Sequence, residues 1–422
     1  MRTNSVMNYY MHVTNADENS TNEGNFIKND TMERIKSMNS MLSTELMTWK
    51  NKINNDPSWD QYKKLTNEYE FIITNVGVLE PDMMTKYPPS NPLSWQGRKK
   101  PLSRSYFKLW EILHDFDLLS PNTTPNKTPN RTPYNTPYPD PIVSAHLAEG
   151  PGGFIEALCD FIKKYHIIDN YKKIYGLTLL SMDKTIPNWK IGSSMLREFP
   201  ISLNTIDSNN GNLYNIHTID TFIDMMQPNK CTLVTADGGF DFSKDFNNQE
   251  MSFYMLLMCE IYTTLCIQRP NGSFLLKVFD LFLEETIKLI ACCKLFYDDM
   301  YIIKPNTSRP ANSEKYIIFR NFTKDLSPEQ ISVKAALRRK IISKDPTLDI
   351  VPRQSVLQTV MNSITTYNAY YTIRQISYIK KTLDLGDLRK TNDTEYKHMV
   401  HHLTTDNAQC CEIWCRTYHL TN

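Results

Sequence analysis

The chain has 422 residues, which at roughly 150 residues per domain leaves room for about three domains or one large domain with additions. Hydrophobic residues make up 41% and charged residues 22%, the values of an ordinary folded protein, which excludes a disordered, collagen-like or coiled-coil chain. With 47 Lys and Arg against 46 Asp and Glu the net charge is +1, so binding of nucleic acid has to come from local basic clusters rather than from overall attraction.

Residues 1–24 are polar and Asn-rich without an apolar core segment, which predicts no secretory signal. The richest apolar stretch, residues 274–283, is interrupted by Lys277 and Asp280, so no bilayer span is expected. Nine cysteines at irregular spacing then read as buried free thiols of a reducing compartment, and sequons such as Asn19-Ser20-Thr21 carry no weight.

Residues 25–79 follow a helical pattern, with Met32, Ile35, Met38, Met41 and Leu42 and then Tyr62, Leu65, Tyr69 and Ile72 at helical spacing. A proline-rich, basic segment follows at 87–101, ending in Gly97-Arg98-Lys99-Lys100-Pro101, and a domain boundary is expected there. Residues 103–113 form an amphipathic helix with Tyr106, Leu109, Trp110 and Leu113 on its core face, which leaves Lys108 on the solvated side. Thr-Pro recurs between 120 and 141, a density of proline that forbids helix or central strand and predicts an extended, mobile surface insertion.

From 142 to 320, short apolar runs alternate with helical patterns, the signature of an α/β fold with a mostly parallel sheet. The strands are expected at 142–147, 173–178, 232–236, 274–278, 301–304 and 315–319, with helices at 154–166, 249–267 and 284–296. From 327 the pattern turns helical again, through 333–342 and 364–383. The organisation is therefore a helical N-terminal region (1–97), an α/β domain (98–325) carrying the Thr-Pro insertion, and a helical C-terminal extension (326–422).

The strongest local signal is the strand 142–147 running into Ala148-Glu149-Gly150-Pro151-Gly152-Gly153-Phe154 and a helix. Glycines there admit a ligand close to the backbone at a strand's carboxyl end, or else simply reverse the chain. The spacing is neither G-x-G-x-x-G nor a P-loop, which weakens dinucleotide and nucleoside-triphosphate readings. A second strand ends at Asp237-Gly238-Gly239, where the carboxylate either orients a ligand or opens a turn. Lys277 interrupts the apolar run Phe274-Leu275-Leu276-Lys277-Val278-Phe279. A buried Lys needs a partner, and desolvation or a like charge would lower its pKa into the range of proton transfer; otherwise it snorkels to water. The loop 304–313 is polar enough to meet phosphate or ribose, and Glu314 opens the last strand. His398, His401, His402, Cys410, Cys411 and Cys415 lack regular ligand spacing, so no metal site is expected.

Taken in order, Ser103-Arg104-Ser105-x-x-Lys108, Glu149 to Phe154, Ala236-Asp237-Gly238-Gly239, Phe274 to Phe279 and Ser308-Arg309-Pro310-Ala311-Asn312-Ser313-Glu314 resemble the FtsJ-like RNA ribose 2′-O-methyltransferases. The likeness is closest to the cap-specific mRNA enzymes, including those of large cytoplasmic DNA viruses, and it covers about 103–320. It implies a Rossmann-like methyltransferase domain with a catalytic tetrad at Lys108, Asp237, Lys277 and Glu314. It further implies S-adenosylmethionine held by Glu149, Gly150, Pro151, Gly152, Gly153 and Phe154 beside Asp237, with the segments 177–183 and 210–213 flanking the nucleoside. An acidic residue is expected near Asn212, and the chain departs from that pattern. In the implied reaction Lys277, with a lowered pKa, draws the proton from a ribose 2′-hydroxyl; Lys108 and Asp237 tune it, Glu314 holds Lys108 or the ribose, and no metal takes part. Arg98, Lys99, Lys100, Arg104, Ser308, Arg309 and Asn312 are the expected RNA contacts, and Lys127, Arg131, Tyr134 and Tyr138 of the insertion add charge and stacking. The expected substrate is the first transcribed nucleotide of capped mRNA. Ribosomal or transfer RNA, or a non-catalytic RNA-binding or structural role on the same fold, are the alternatives. Other capping or transcription proteins are the implied partners, with a cytoplasmic location, a virion or viral factory, or the nucleus in a cellular setting.

Overall fold

A computed structural model describes residues 10–13, 25–54, 59–72, 101–119, 141–205, 209–239, 249–347 and 349–420. Its centre is an eight-stranded sheet. The strands are β1 (Tyr10–Val13), β2 (Ile142–Leu147), β3 (Tyr171–Leu177), β4 (Ile201–Leu203), β5 (Cys231–Ala236), β6 (Gln268–Val278), β7 (Tyr297–Ile303) and β8 (Lys315–Phe322), in the order β1-β7-β8-β6-β5-β2-β3-β4. The helices are α1 (Asn25–Asn54), α2 (Trp59–Leu65), α3 (Ser105–Phe116), α4 (Gly153–Lys164), α5 (Ser193–Glu198), α6 (Ile216–Met226), α7 (Gln249–Ile267), α8 (Glu284–Lys294), α9 (Pro328–Ser343), α10 (Gln354–Thr391) and α11 (Asp393–Thr417).

The pairs β2–β3, β3–β4, β2–β5 and β5–β6 are parallel. The chain runs outward from β2 to β4 and then returns to β5 on the other side of β2. That reversal opens a crevice between the carboxyl ends of β2 and β5, where open α/β sheets take their ligands. β8 lies antiparallel between β6 and β7, so its first residues stand beside the last of β6: Tyr316 pairs with Lys277 and Lys315 with Val278.

Side chains alternate across a sheet, and the two faces fill separate cores. Ala145, Leu147, Val234, Ala236, Phe274, Leu276, Ile317 and Phe319 enter one core with α6, α7, α8 and α9. Leu233, Leu275, Tyr316 and Ile318 enter the other with α3 and α4. Counting on in steps of two places Asp237, Lys277 and Glu314 toward the second core, on the face that α3 covers.

The expected strands and helices of 142–320 form, several of them longer at one end. The alternation did not mark β1 and β4, which have 4 and 3 residues, nor the helices α5 and α6. The Asn-rich surroundings hid β1, which pairs antiparallel with β7. Among the described residues one helix, α7, is long and apolar enough to cross a bilayer, contrary to expectation. Here it packs between the sheet and its neighbouring helices, and 15 of its residues are buried. All nine cysteines are free thiols, seven of them buried. The expected boundary near 97 and the Thr-Pro insertion lie outside the described residues.

The flanking helices lock onto the domain through polar contacts that enter the core. Lys50 of α1 donates to Asp280 Oδ2 at 2.6 Å, and Lys315 stands 3.6 Å from the other carboxylate oxygen. Burial alone would raise the Asp280 carboxyl, yet Lys50 and Lys315 hold it below its ordinary value. Replacing Lys50 by Met leaves Asp280 only the longer contact with Lys315, and breaking a buried pair from one side costs up to about 3–5 kcal/mol. Denaturant unfolding of Lys50→Met measures the loss, which is present above the free carboxylate value of roughly 4 and fades as pH falls through the lower native value of Asp280.

Candidate active site

Sequence spacing alone set Lys108 in solvent, and the structure corrects this. Helix α3 is buried almost all round. One side meets α4 and the sheet, and the other is covered by the C-terminal segment, where Phe107 makes an edge contact with Trp414 and Trp110 Nε1 donates to Tyr418 O at 2.8 Å. Lys108 is 9% exposed and points down to the sheet edge.

There it meets Glu314, with Nζ 2.6 Å from Oε1 and 2.8 Å from Oε2. Lys277 lies 3.9 Å from Glu314 Oε2 and 3.4 Å from Asp237 Oδ1, and donates to the Asp237 carbonyl at 3.2 Å. Tyr316 O–H donates to Asp237 Oδ1 at 2.9 Å. The four residues therefore form one row of alternating charge, Lys108, Glu314, Lys277, Asp237, with no net charge.

The electrostatics overturn one expectation. Burial does press the Lys277 ammonium downward, but Asp237 and Glu314 outweigh it and the pKa is raised, not lowered. Glu314 is pushed up by burial and pulled down further by Lys108 and Lys277, leaving it well below the usual carboxylate range. In the resting site Lys277 is a charged ammonium.

The loop 304–314 that delivers Glu314 is held from inside. Lys304 Nζ donates to Asn312 O and Oδ1, Ser308 Oγ and Glu314 O, at 2.6 to 3.3 Å, and Ser308 Oγ donates to Glu314 Oε1 at 2.9 Å. Glu111, one turn beyond Lys108 on α3, accepts from the N–H groups of Asn306 and Thr307 and from Trp414 Nε1.

Several of the expected RNA ligands already have partners within the protein. Ser308 is buried inside the loop network, while Asn312 is exposed but spends its amide oxygen on Lys304. Arg309 forms a two-toothed pair with Glu70, at 3.0 and 2.8 Å, and Arg104 shares the same carboxylate at 3.0 Å while donating to Thr307 O. Glu70 thus occupies both guanidinium groups that were expected to meet phosphate. Arg98, Lys99 and Lys100 lie outside the described residues.

The Glu149 to Phe154 loop sits at the carboxyl end of β2 as expected. Ala148 adopts φ 52° and Gly152 φ 112°. The second suits only glycine, and the first, held by a residue with a Cβ, is strain of the order of 1–3 kcal/mol kept beside a ligand crevice. Glu149 Oε1 accepts from Phe154 N at 2.6 Å, at the start of α4. Its other oxygen is buried with no hydrogen-bond partner. The segments expected to flank a nucleoside do come together: Leu180 N donates to Asn210 O, Gly150 N to Thr178 Oγ1, and Asn204 bridges both backbone groups of Thr178. Asn212 Oδ1 is taken by Tyr214 N. The orphaned Glu149 oxygen fits the ammonium end of an amino-acid moiety, so the loop suits S-adenosylmethionine at that end.

Tyr316, Lys304, Glu111 and Glu70 were not singled out from the sequence. Strand parity with Glu314 marks Tyr316, and the three-residue step from Lys108 marks Glu111. No local signal marks Glu70. Among the described residues no cluster of His, Cys, Asp and Glu is placed to hold a metal ion.

A reversal-point crevice with a row of two lysines and two carboxylates marks an α/β protein with a ligand site at the carboxyl ends of its central strands. The sequence profile of the FtsJ-like methyltransferases matches residues 101–322, and the chain belongs to that family. It is 30% identical over 249 residues to cap-specific mRNA (nucleoside-2′-O-)-methyltransferase 1A of Caenorhabditis briggsae, covering 56% of this chain and 28% of that protein. Over 334 residues it is 25% identical to the corresponding methyltransferase 2 of Drosophila melanogaster, covering 75% and 44%. A probable methyltransferase of African swine fever virus is 27% identical over 254 residues, covering 54% and 56%. The chain thus spans between about a quarter and somewhat over half the length of these relatives.

Removing the shared carboxylate with Glu70→Ala leaves two partly buried arginines without their charged acceptor. The expected loss is about 1–3 kcal/mol of stability, read by denaturant unfolding; an unchanged midpoint would show that the pairing contributes nothing.

Proposed function

We propose that the protein methylates the 2′-hydroxyl of a ribose in RNA with S-adenosylmethionine as donor, and that its substrate is the first transcribed nucleotide of a 5′-capped mRNA. The observation that carries the chemistry is the row Lys108, Glu314, Lys277, Asp237 at the mouth of the crevice beside the Glu149 loop. The choice of capped mRNA rests on what the relatives from the worm and the fly are named for.

S-adenosylmethionine, when bound, supplies an electrophilic methyl group on a positively charged sulfur. Glu149 and the backbone of 150–154 would hold its amino-acid end, with 177–183 and 210–213 around the nucleoside. Asp237, fixed by Tyr316, and Glu314, fixed by Lys108 and Ser308, hold the Lys277 amine in one direction. That rigidity aligns the 2′-oxygen with the methyl carbon, a contribution of up to ~7–11 kcal/mol in well-oriented reactions. A second positive charge in the crevice disfavours the Lys277 ammonium and moves it toward the neutral amine. The neutral Lys277 amine would take the proton of the ribose 2′-hydroxyl as the 2′-oxygen accepts the methyl group that the bound donor would supply. The raised pKa in the resting site is thus compatible with a base that is unmasked only in the loaded one.

Lys277→Ala should lower methyl transfer by about 10²-fold or more, the usual contribution of a general base, while calorimetry still detects the cofactor. For the intact protein the rate should rise with pH through the range in which Lys277 loses its proton. Comparing capped with uncapped transcripts tests the substrate: equal transfer to both would move the assignment to ribosomal or transfer RNA. Failure to bind S-adenosylmethionine would favour a non-catalytic scaffold.

A further inference from the structure

Two arginines beside the catalytic row are already occupied, since Glu70 takes both Arg104 and Arg309. An RNA that reaches the crevice therefore has to meet other cations on the rim, and the helical flanks supply them. Gln375 of α10 donates to Ala311 O and Ser313 Oγ, so this stretch of helix lies against the loop that delivers Glu314. Arg374, the residue before it, adds its repulsion to the burial that holds Lys304 of the same loop well below the ordinary lysine value. On α1, Trp49 packs in one cluster with Ala311 and with Ile376 and Ile379 of α10.

Four cations gather here, and each lies on an aromatic ring. Arg374 Cζ and Lys381 Nζ stand 5.9 and 5.8 Å from the ring centroid of Tyr378. Lys52 Nζ and Lys380 Nζ stand 3.7 and 4.5 Å from that of Trp49. Among the described residues no carboxylate forms an ion pair with any of the four. Glu45, one turn before Trp49, and Asp384, one turn beyond Lys380, are exposed and stay apart from them. The remaining lysines of α10 and α11 behave differently: Lys390 pairs with Asp387 and Lys397 with Asp393. Lys52, Lys380 and Lys381 are exposed, and Tyr370, one turn before Arg374, keeps 44% of its surface open. Cations without counter-ions, set among aromatic rings along one face, suit a single strand of nucleic acid, whose phosphates take the charges and whose bases take the rings.

We propose that α1 and α10 form a platform for the single-stranded RNA that leads away from the methylated nucleotide. Arg374 stands nearest the crevice, Lys52, Lys380 and Lys381 meet successive phosphates, and the open ring of Tyr370 stacks on a base. The methyltransferase fold thus supplies the chemistry, and the helices outside it supply the grip on the substrate. The inference rests on the RNA substrate proposed above.

Fluorescence anisotropy with a fluorescein-labelled, capped, single-stranded RNA, repeated over a range of salt, tests the platform. Lys380→Ala/Lys381→Ala should weaken binding about tenfold and make the fall of log affinity with log salt shallower by about 1.4, since each phosphate neutralised on a single strand contributes roughly 0.7. Lys390→Ala/Lys397→Ala removes the same charge from paired positions and should leave both values near those of the wild type. In the wild type, the same RNA carrying 4-thiouridine should crosslink to peptides of α1 or α10. Crosslinks that avoid both helices overturn the inference, whether or not the variants fold. A folded Lys380→Ala/Lys381→Ala protein with wild-type affinity and salt dependence does the same, as does an equal loss in both variants or a wild type that binds no RNA. The expected differences, found in a protein that transfers no methyl group to RNA, support the platform and overturn the reaction proposed above.

Discussion

Everything at the crevice depends on the ion pair between Lys108 and Glu314. It joins a helix on one face of the sheet to the first turn of the last strand, groups 206 residues apart in the chain. Both partners are nearly desolvated, where an unpaired charge would be prohibitive, so each enforces the position of the other. With Glu314 pinned by Lys108 and Ser308, its remaining reach is toward Lys277. Lys277 is then balanced between two carboxylates, and neither lysine nor acid can shift without exposing another charge.

The arrangement is braced from outside the domain that supplies it. Glu70 joins Arg104, just ahead of α3, to Arg309 in the loop that leads to Glu314. Glu111 ties the same loop to α3 and to Trp414 of α11. Gln375 of α10 donates to Ala311 O and Ser313 Oγ. Each brace touches an element bearing one of the four charged residues rather than the residues themselves. The helical flanks therefore act on the geometry of the row, and the covering of α3 by Trp414 and Tyr418 is what places Lys108 in a dry setting at all.

Much of this was legible in the amino-acid order. Alternation gave the central strands, and its parity already sets Asp237, Lys277 and Glu314 on one face, because odd positions of β5 and β6 and even positions of β8 point the same way. What periodicity could not show was the cover over α3. An amphipathic stripe reports one buried side, and a second partner 300 residues downstream leaves no local trace, so Lys108 read as solvated. Glu70 was invisible for the same reason: a lone acid at the end of a helical pattern has no feature that foretells two distant arginines. The pKa of Lys277 runs opposite to the expectation, because the distances that let Asp237 and Glu314 outweigh burial exist only in the fold.

That last reversal bears on how the site works. A lysine depressed in the resting state would be a standing base, open to water and to any acid that entered. A lysine held up by Asp237 and Glu314 is instead silent until the balance of charge around it changes. Burial raises the carboxyls of Glu149 and Glu260, which lie beside the same crevice, well above the usual carboxylate range. Positive charge entering there disfavours the Lys277 ammonium and moves it toward the neutral amine. In the reaction proposed above, the neutrality that holds the row together at rest would leave Lys277 to act as a base only once positive charge is brought beside it.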